Sequence, residues 1–292
     1  MHQPVLIKEV IEFLAPHPGG VYVDGSLGAG GYAEAILEAC SPDGRLLGFD
    51  IDEESINRVQ VRLKTYGERF RCWHAGYHES KAVLETSGVD GVDGIVLDLG
   101  LSSDQLEDPG RGFSFKFSSP LDMRFDRTKG KSAEDLLKCL SESDLAKIIY
   151  EYGEEPRSRR IAKRLKEATK KGTLTNTQEL SDLVMKTVGY KRSKIHPATR
   201  VFQALRIAVN DELGNLKKGL EDLPTLLKKQ GRLCIVSYHS LEDRLVKLAF
   251  KERARQSERW KNLMPRPLRP SVEETRQNPR SRSAKMRVIE AL

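Results

Sequence analysis

The chain has 292 residues, a net charge of +7 and 38% hydrophobic residues, enough for a sizeable core in one large domain or two smaller ones. No segment approaches the roughly 18 apolar residues that a membrane-spanning helix requires, and the first residues do not resemble a signal peptide. Cys40, Cys72, Cys139 and Cys234 are far apart. This cysteine usage favours reduced thiols in a cytoplasmic protein without a metal site.

The first predicted strand and the turn after it occupy residues 21–31. Three β-forming residues and Asp24 are followed by Gly28, Gly30 and Gly31. This order predicts a buried strand, a sharp turn and a helix over residues 32–39. Open α/β sheets bind ligands at such turns, and glycine lets the backbone approach a ligand closely. A tight turn without a ligand is the alternative.

The spacing leaves two nucleotide ligands open. Gly28, Gly30 and Ala33 fit the dinucleotide fingerprint, and Asp50 follows at the distance where an acid holds ribose hydroxyls. A nicotinamide-dependent oxidoreductase is therefore one interpretation. Asp24, however, precedes the glycines, where its charge would face a pyrophosphate. An acid there suits a zwitterionic ligand better, such as the amino-acid end of S-adenosylmethionine.

Strands and helices alternate over residues 22–99, which predicts a parallel sheet with helices on its faces. The pattern gives strands at 45–50, 70–74 and 94–99 and a helix at 53–66. Because adjacent parallel strands end at the same edge of a sheet, Asp98 is predicted beside the glycine turn. Capping of the next turn is the alternative role for Asp98.

The next strand of this kind, at 231–237, follows about 130 residues later, although a parallel crossover needs only a dozen or more. Most of the gap is therefore predicted to be an inserted helical domain. Its helices are predicted at residues 133–140, 142–150, 157–169 and 177–188. In the third of these helices, Ile161, Leu165 and Ala168 share one face and basic residues cover the rest.

A long amphipathic helix from Pro197 to Leu220 is predicted to return the chain to the sheet. Arg200 and Arg206 lie off its apolar stripe, where contact with phosphate and simple solvation are equally good interpretations. Ser240 with Asp243 predicts a capping box at the start of the next helix, which makes a direct catalytic role of His239 the weaker interpretation. The last strand is predicted at 286–289.

The charge is unevenly distributed along the chain. Residues 1–110 hold 8 Lys and Arg against 19 Asp and Glu, so the remaining 41 bases and 23 acids give residues 111–292 a net charge of +18. Residues 156–172 contain eight bases and one acid, and residues 251–287 contain twelve bases and four acids. Two such runs beside a nucleotide-type pocket favour a nucleic-acid partner over a merely solvated surface.

Motifs throughout the chain resemble those of the bacterial 16S ribosomal RNA (cytosine-N4) methyltransferase family, in the same order from Pro4 to Arg287. They include the stretch 24–31, Leu97-Asp-Leu-Gly with Ser102-Ser103, Arg111-Gly-Phe-Ser-Phe115, Pro120-Leu-Asp-Met-Arg124, His196-Pro-Ala-Thr-Arg200, Phe202-Gln-Ala-Leu-Arg206 and His239-Ser-Leu-Glu-Asp-Arg244.

The resemblance implies a class I, Rossmann-like methyltransferase that uses S-adenosylmethionine, with domain parts at 1–108 and 199–292 and an inserted helical substrate-recognition domain at 109–198. The substrate would be a cytidine in the decoding region of the small ribosomal subunit. The oligomeric state, monomer or homodimer, is left open, and so is the catalytic residue. The cofactor contacts that carry over are Gly30, Gly31, Tyr32, Asp50, Tyr77, Asp98 and Gln105. The substrate-binding candidates are Phe113, Arg124, Arg200 and Arg206.

Some positions depart from the family pattern. The family usually has His at position 32, which puts the exact contact of Tyr32 at the rim of the cofactor site in doubt. The other departures are Ser26 for Thr, Ala33 for Ser, Ser118-Ser119 for Asp-Gly and Tyr238 for Phe.

The chemistry of a cytosine amine adds two expectations. Its lone pair is delocalised into the ring, so an acceptor for its N–H, such as Asp98, would help the reaction. A base in structured RNA must also be extruded, and Phe113 and Phe115 are candidates for a clamp or for plain core anchors. A non-catalytic RNA-binding or ribosome-assembly factor is the alternative from another class.

Overall fold

The computed structural model describes residues 4–189 and 196–292. The chain divides into two compact units, a sheet unit of Met1–Gly100 with Leu213–Leu292 and a helical unit of Leu101–Glu212. The sequence placed the corresponding boundaries after residues 108 and 198. The helical unit extends beyond 198 because Val201, Phe202 and Leu205 are buried in its core.

The sheet unit is built on one sheet. Its strands within the described residues are β1 Val21–Asp24, β2 Arg45–Asp50, β3 Phe70–His74, β4 Val92–Asp98, β5 Leu227–Ser237, β6 Trp260–Asn262 and β7 Lys285–Ala291. The strand order is β3-β2-β1-β4-β5-β7-β6. The first five in this order pair in parallel, and β7 runs antiparallel to β5 and β6. The predicted α/β class with a mostly parallel sheet is confirmed.

Helices cover both faces of this sheet: α1 Ile7–Leu14, α2 Gly31–Ala39, α3 Glu53–Arg62, α4 Ser80–Thr86, α11 Glu212–Asp222, α12 Ser240–Gln256 and α13 Val272–Gln277. Successive strand residues point to opposite faces, so Tyr22 and Val96 lie in one apolar cluster. Val23 and Leu97 lie in the other. Burial on both faces explains why the strands are almost continuously apolar.

The helical unit contains α5 Ser103–Glu107, α6 Ala133–Cys139, α7 Glu142–Gly153, α8 Ser158–Lys170, α9 Thr177–Val188 and α10 Pro197–Asn210. The four predicted inserted helices are therefore present. Ser132, Ser141 and Asn176 begin three of them by accepting a hydrogen bond from a backbone N–H in the first turn, as N-cap residues do. Ile161, Leu165 and Ala168 of α8 are buried in the core of this unit, as the spacing predicted.

The prediction of one continuous helix from Pro197 to Leu220 was wrong. Asp211 adopts a left-handed conformation (φ 46°, ψ 42°) and its N–H bonds to the carbonyl of Ile207, which ends α10. A second helix, α11, then begins at Glu212. Asp tolerates this conformation better than most residues, so an apolar stripe that continues through position 211 conceals the break.

The capping prediction for α12 was wrong by one residue. His239 is the N-cap, with Nδ1 accepting the N–H of Glu242, and the Glu242 carboxylate accepts the N–H of His239 in return. The imidazole Nε2 also lies 3.2 Å from Oε1 of Glu242. His239 therefore has a structural role at the start of the helix.

Every helix in the described part of the chain is too short or too polar to span a lipid bilayer.

Candidate active site

The glycine turn after β1 is shaped by close contacts and by backbone conformation. Gly28 and Gly30 have positive φ values of 50° and 81°, which side-chain-bearing residues rarely adopt. A Cβ on Gly31 would lie 2.3 Å from Cγ of Pro4. The turn therefore requires glycine, and it leads the chain directly into α2.

Asp50, at the end of β2, fixes this turn. Its Oδ2 accepts a hydrogen bond from the N–H of Gly28 at 2.8 Å, and its Oδ1 accepts one from the N–H of Asp52 at 2.8 Å. Asp50 therefore holds the glycine turn in place, and its contact with a ribose stays a prediction.

Asp24 and Asp98, at the ends of β1 and β4, each have one buried carboxylate oxygen that lacks a hydrogen bond. Oδ2 of Asp24 and Oδ1 of Asp98 are buried and have no hydrogen-bond partner among the described residues. Asp24 is fully buried. Burial, with the nearby charges of Asp50 and Asp98, raises the pKa of Asp24 to about 7. Burial also raises the pKa of Asp98 to about 7, with the charge of Glu242 adding to the effect.

The strand register brings these acids to one edge of the sheet. Asp24 lies opposite Val96 of β4, and the N–H of Asp98 bonds to the Ser26 hydroxyl at 2.6 Å. Ser26 supplies the hydroxyl that the family's usual Thr would supply. Asp98 therefore lies beside the glycine turn, as the strand order predicted.

Tyr77 lies at the same edge, directly after β3. If Gly25 carried a Cβ, that atom would lie 2.9 Å from the Cβ of Tyr77. A Cβ on Gly219 in α11 would lie 2.9 Å from the Tyr77 ring. The half-buried ring is thus enclosed between two glycines. The structure therefore brings together the predicted residues Gly30, Gly31, Asp50, Tyr77 and Asp98.

The side chain of Tyr32 is packed inside the sheet unit. Its side chain is 4% exposed, and its hydroxyl donates a hydrogen bond to the carbonyl of Val5. The ring therefore packs against the amino-terminal segment, and a cofactor contact by Tyr32 is left to its backbone.

Gln105 belongs to the helical unit. It is the third residue of α5, where its side chain accepts the N–H of Ser102 while its own N–H bonds to the Ser102 hydroxyl. The amide group therefore has a capping role, and its contact with the cofactor stays a prediction.

The four predicted substrate residues also lie in the helical unit, and each has partners within it. Phe113 is buried, with its ring stacked on Phe125 at 5.4 Å, which is the arrangement of a core anchor. Each of the three arginines forms an ion pair. Arg124 pairs with Asp122 at 2.7 Å, Arg200 with Glu155 at 3.4 Å, and Arg206 with Glu212 at 2.8 Å.

A second set of charges is exposed on α8. We call this set the basic surface: Arg159, Arg160, Lys163, Arg164, Lys170 and Lys171. Arg164 pairs with Glu167 at 3.1 Å, and the other five make no ion pair with any described residue. The other basic run, residues 251–287, is partly paired within the protein. Lys285 and Arg287 both bind Asp243, at 2.9 and 2.7 Å.

A contact between the two ends of the chain was missed by the sequence analysis. Oε1 of Glu274 in α13 accepts the N–H of Leu6 at 2.7 Å. No local pattern indicated this contact, because 268 residues separate its two partners.

The edge fits S-adenosylmethionine better than a dinucleotide. Two carboxylates that each keep a buried oxygen without a partner suit a ligand that brings a cationic amino-acid end, and they would repel a pyrophosphate. The fold and the site thus define a class I methyltransferase.

The comparisons identify the family. The model of the MraW methylase family matches residues 1–292, so the chain belongs to that family and is an S-adenosylmethionine-dependent methyltransferase. The nicotinamide interpretation is thereby excluded.

The relatives are similar along their whole length. A protein of Geobacter sulfurreducens named ribosomal RNA small subunit methyltransferase H is 47% identical, with 100% of this chain and 99% of that protein covered. A protein of the same name from Syntrophobacter fumaroxidans is 48% identical, with 99% and 96% covered. A crystal structure of a putative rRNA-methylase from Clostridium thermocellum aligns over 100% of both chains, with a TM-score of 0.46 and 11% identity.

Proposed function

We propose that this enzyme transfers a methyl group from S-adenosylmethionine to the N4 amine of one cytidine in the decoding region of 16S ribosomal RNA, within the small subunit in the cytoplasm. The names of the full-length relatives support ribosomal RNA of the small subunit as the substrate. The resemblance of the motifs supports the base and the atom. The proposal is carried by one observation, the two incompletely bonded carboxylates beside the glycine turn.

The chain's residues divide the binding work among them. Asp24 offers its free oxygen to the ammonium of the cofactor, Asp50 accepts hydrogen bonds from the ribose, and the glycine turn offers backbone N–H groups. When bound, S-adenosylmethionine supplies a methyl group that its sulfonium already makes electrophilic. The protein's main contributions are therefore alignment and exclusion of water.

We assign Asp98 the role of acceptor for the amine. As the carbon–nitrogen bond forms and the carbon–sulfur bond breaks, the N4 nitrogen acquires a positive charge and must lose a proton. The buried Oδ1 of Asp98 accepts the N4–H hydrogen bond and then that proton. A carboxyl whose pKa is about 7 is well matched to this task near neutral pH, because general bases work best when their pKa lies near the operating pH.

We assign RNA placement to the helical unit. The basic surface of α8 offers exposed cations for phosphates, which position RNA without reading its bases. Phe113 is already covered, so a ring that clamps the extruded base is better provided by Phe117, whose side chain is 45% exposed. Arg124, Arg200 and Arg206 would reach phosphate only by sharing or leaving their carboxylate partners.

Transfer of label tests the proposal directly. Small subunits from a strain lacking this enzyme, and naked 16S RNA as a second substrate, are incubated with methyl-labelled S-adenosylmethionine. We expect label on the N4 atom of a single cytidine, located by digestion and mass spectrometry. Label on another atom or on many residues would overturn the assignment, and binding without transfer would favour the assembly-factor alternative. Sedimentation of the same preparation determines whether the enzyme is a homodimer.

The variant Asp98→Asn tests the acceptor role. Asn keeps the shape of the side chain but cannot take a proton, so we expect single-turnover methylation to slow by about 100-fold or more. Affinity for S-adenosylhomocysteine, measured by calorimetry, serves as the control for cofactor binding. Unchanged turnover in this variant would eliminate Asp98 as the acceptor.

A further inference from the structure

Residues 4–6 pack on the glycine turn at the point where it enters α2. A Cβ on Gly31 would lie 2.3 Å from Cγ of Pro4, so the proline ring covers the backbone of that glycine. The Tyr32 hydroxyl donates a hydrogen bond to the carbonyl of Val5. Two consecutive residues at the start of α2 are therefore held by one short segment, which we call the 4–6 segment.

The preceding part of the turn is held by other elements. Asp50 of β2 accepts the N–H of Gly28 at 2.8 Å, and Nη1 of Arg62 in α3 donates to the carbonyl of Ala29 at 2.5 Å. These two contacts act before the turn reaches α2. The 4–6 segment acts on the part that follows, where the chain becomes helical.

The 4–6 segment is itself held by α13. Oε1 of Glu274 accepts the N–H of Leu6 at 2.7 Å. Leu6 is buried and adopts a left-handed conformation (φ 56°, ψ 30°), which a residue with a side chain keeps only when surrounding contacts enforce it. The hydrogen bond to Glu274 is such a contact.

The local sequence around Glu274 indicates a different use for its carboxylate. Ser271 is the N-cap of α13, and its side chain accepts the N–H of Glu274. A Glu three residues after such a Ser commonly bonds back to the N–H of the Ser in a capping box. Oε1 of Glu274 instead bonds to Leu6, 268 positions away in the sequence. The carboxylate therefore serves the 4–6 segment and not only its own helix.

We propose that Glu274 is a positioning residue for cofactor binding. Its carboxylate fixes the 4–6 segment, which in turn holds the backbone of Gly31 and Tyr32 in place for S-adenosylmethionine. Backbone groups that are already in place bind a ligand more tightly, because less conformational freedom is lost on binding. The inference rests on the proposed cofactor contacts of the glycine turn, and it does not depend on which base is methylated.

Two substitutions of Glu274 test this role. Glu274→Ala removes the acceptor, whereas Glu274→Gln keeps an oxygen that can accept the N–H of Leu6. We expect calorimetric affinity for S-adenosylmethionine to fall about tenfold in Glu274→Ala and to stay within about twofold of the parent in Glu274→Gln. In methylation assays, KM for the cofactor should rise in Glu274→Ala while kcat stays near the parent's. Unchanged affinity in Glu274→Ala, or an equal loss in both variants, would overturn the proposal.

Asp93→Ala is the matched control. Oδ2 of Asp93 also accepts a backbone N–H at 2.7 Å, that of Val21. Val21 is the first residue of β1, at the end of the strand away from the glycine turn. We expect this variant to lose stability in urea unfolding while its affinity for the cofactor is unchanged. An equal loss of affinity in both alanine variants would report general loosening of the fold, and the proposal would fail.

Tyr32→Phe tests the 4–6 segment through its other hydrogen bond, because it removes the hydroxyl that bonds to Val5 and keeps the ring. Both bonds act through the same segment, so we expect the double variant with Glu274→Ala to bind the cofactor no more weakly than the weaker of the two single variants. Additive losses would show that the bonds act separately and would refute the role of the segment. If Glu274→Ala does not fold, unchanged affinity in Tyr32→Phe refutes the proposal.

Calorimetry without RNA keeps this proposal distinct from the proposed function. Weaker cofactor binding by Glu274→Ala, together with a parent enzyme that labels no cytidine, would leave the role of Glu274 standing and refute the proposed function. Unchanged cofactor binding by Glu274→Ala, together with N4 methylation by the parent, would refute the role of Glu274 alone.

Discussion

The acidic edge of the sheet and the basic surface of α8 both carry charges that the protein leaves unpaired, but in opposite environments. Asp24 is fully buried, and a buried charge without a partner costs several kcal/mol. Arg160 and Lys163 are exposed, where an unpaired charge costs almost nothing. An incompletely bonded buried acid is therefore strong structural evidence for a ligand. Exposed bases fit a polyanion but do not require one.

The largest expected effect comes from removing the buried charge of Asp24. An Asp whose pKa is about 7 when folded and near 3.9 when unfolded binds its proton more tightly in the folded state. Its contribution to stability is full below about pH 4 and is lost as the pH rises to about 7. Asp24→Asn should therefore raise the free energy of unfolding of the ligand-free enzyme at pH 8 by roughly 2–4 kcal/mol, while weakening binding of S-adenosylmethionine.

Urea unfolding at pH 8 and pH 5, with and without the cofactor, measures this effect. Asp243→Asn is the control with the opposite sign. Although burial opposes it, hydrogen bonds from Arg287 and Lys285 hold the pKa of Asp243 below its usual value, so its contribution is present at pH 8 and is lost as the pH falls through that pKa. Destabilisation by both substitutions at pH 8 would contradict the view of Asp24 as an acid kept for a ligand.

The next prediction concerns Asp50, which bonds to the glycine turn and is proposed to bind the cofactor too. Asp50→Ala removes two hydrogen bonds to backbone N–H groups and the proposed ribose contacts, so we expect calorimetric affinity for S-adenosylmethionine to fall by about 1–3 kcal/mol. Asp43→Ala is a matched control, because Asp43 accepts a backbone N–H from Gly19 at 2.8 Å in an exposed turn. Equal affinities in the two variants would reduce Asp50 to a strand-end residue.

The smallest expected effect concerns the basic surface of α8. Replacing Arg160, Lys163 and Arg164 by Glu should weaken RNA binding about tenfold and make its salt dependence shallower, since fewer counterions are released. Affinity for S-adenosylmethionine should not change. Fluorescence anisotropy over a salt series and cofactor calorimetry measure the two quantities.

The control changes the net charge equally at another site. Lys217, Lys218 and Lys247 are exposed in the sheet unit, and their replacement by Glu should leave the salt slope near that of the parent. If both triple variants behave alike, only the net charge matters. If the α8 variant keeps the parent's slope, the run from Lys251 to Arg287 becomes the better candidate for the RNA-binding surface.

The sequence by itself determined the sheet, the glycine turn and the acids at the strand ends. These features are local, because alternating apolar residues, glycine and a terminal acid lie within a few positions of one another. The buried stripe of α8 was predictable for the same reason. The break at Asp211 was not, because the apolar spacing continues through a residue whose left-handed conformation leaves no trace in that pattern.

Only the tertiary structure decided what each site residue touches. The Tyr32 hydroxyl bonds to Val5, Phe113 is covered by Phe125, and Leu6 bonds to Glu274 across 268 positions of sequence. Hydrogen bonding, burial and pKa depend on neighbours that the fold brings together from distant parts of the chain. Residue types therefore predicted which groups lie at this edge of the sheet, whereas packing determined which of their atoms lack a hydrogen-bond partner.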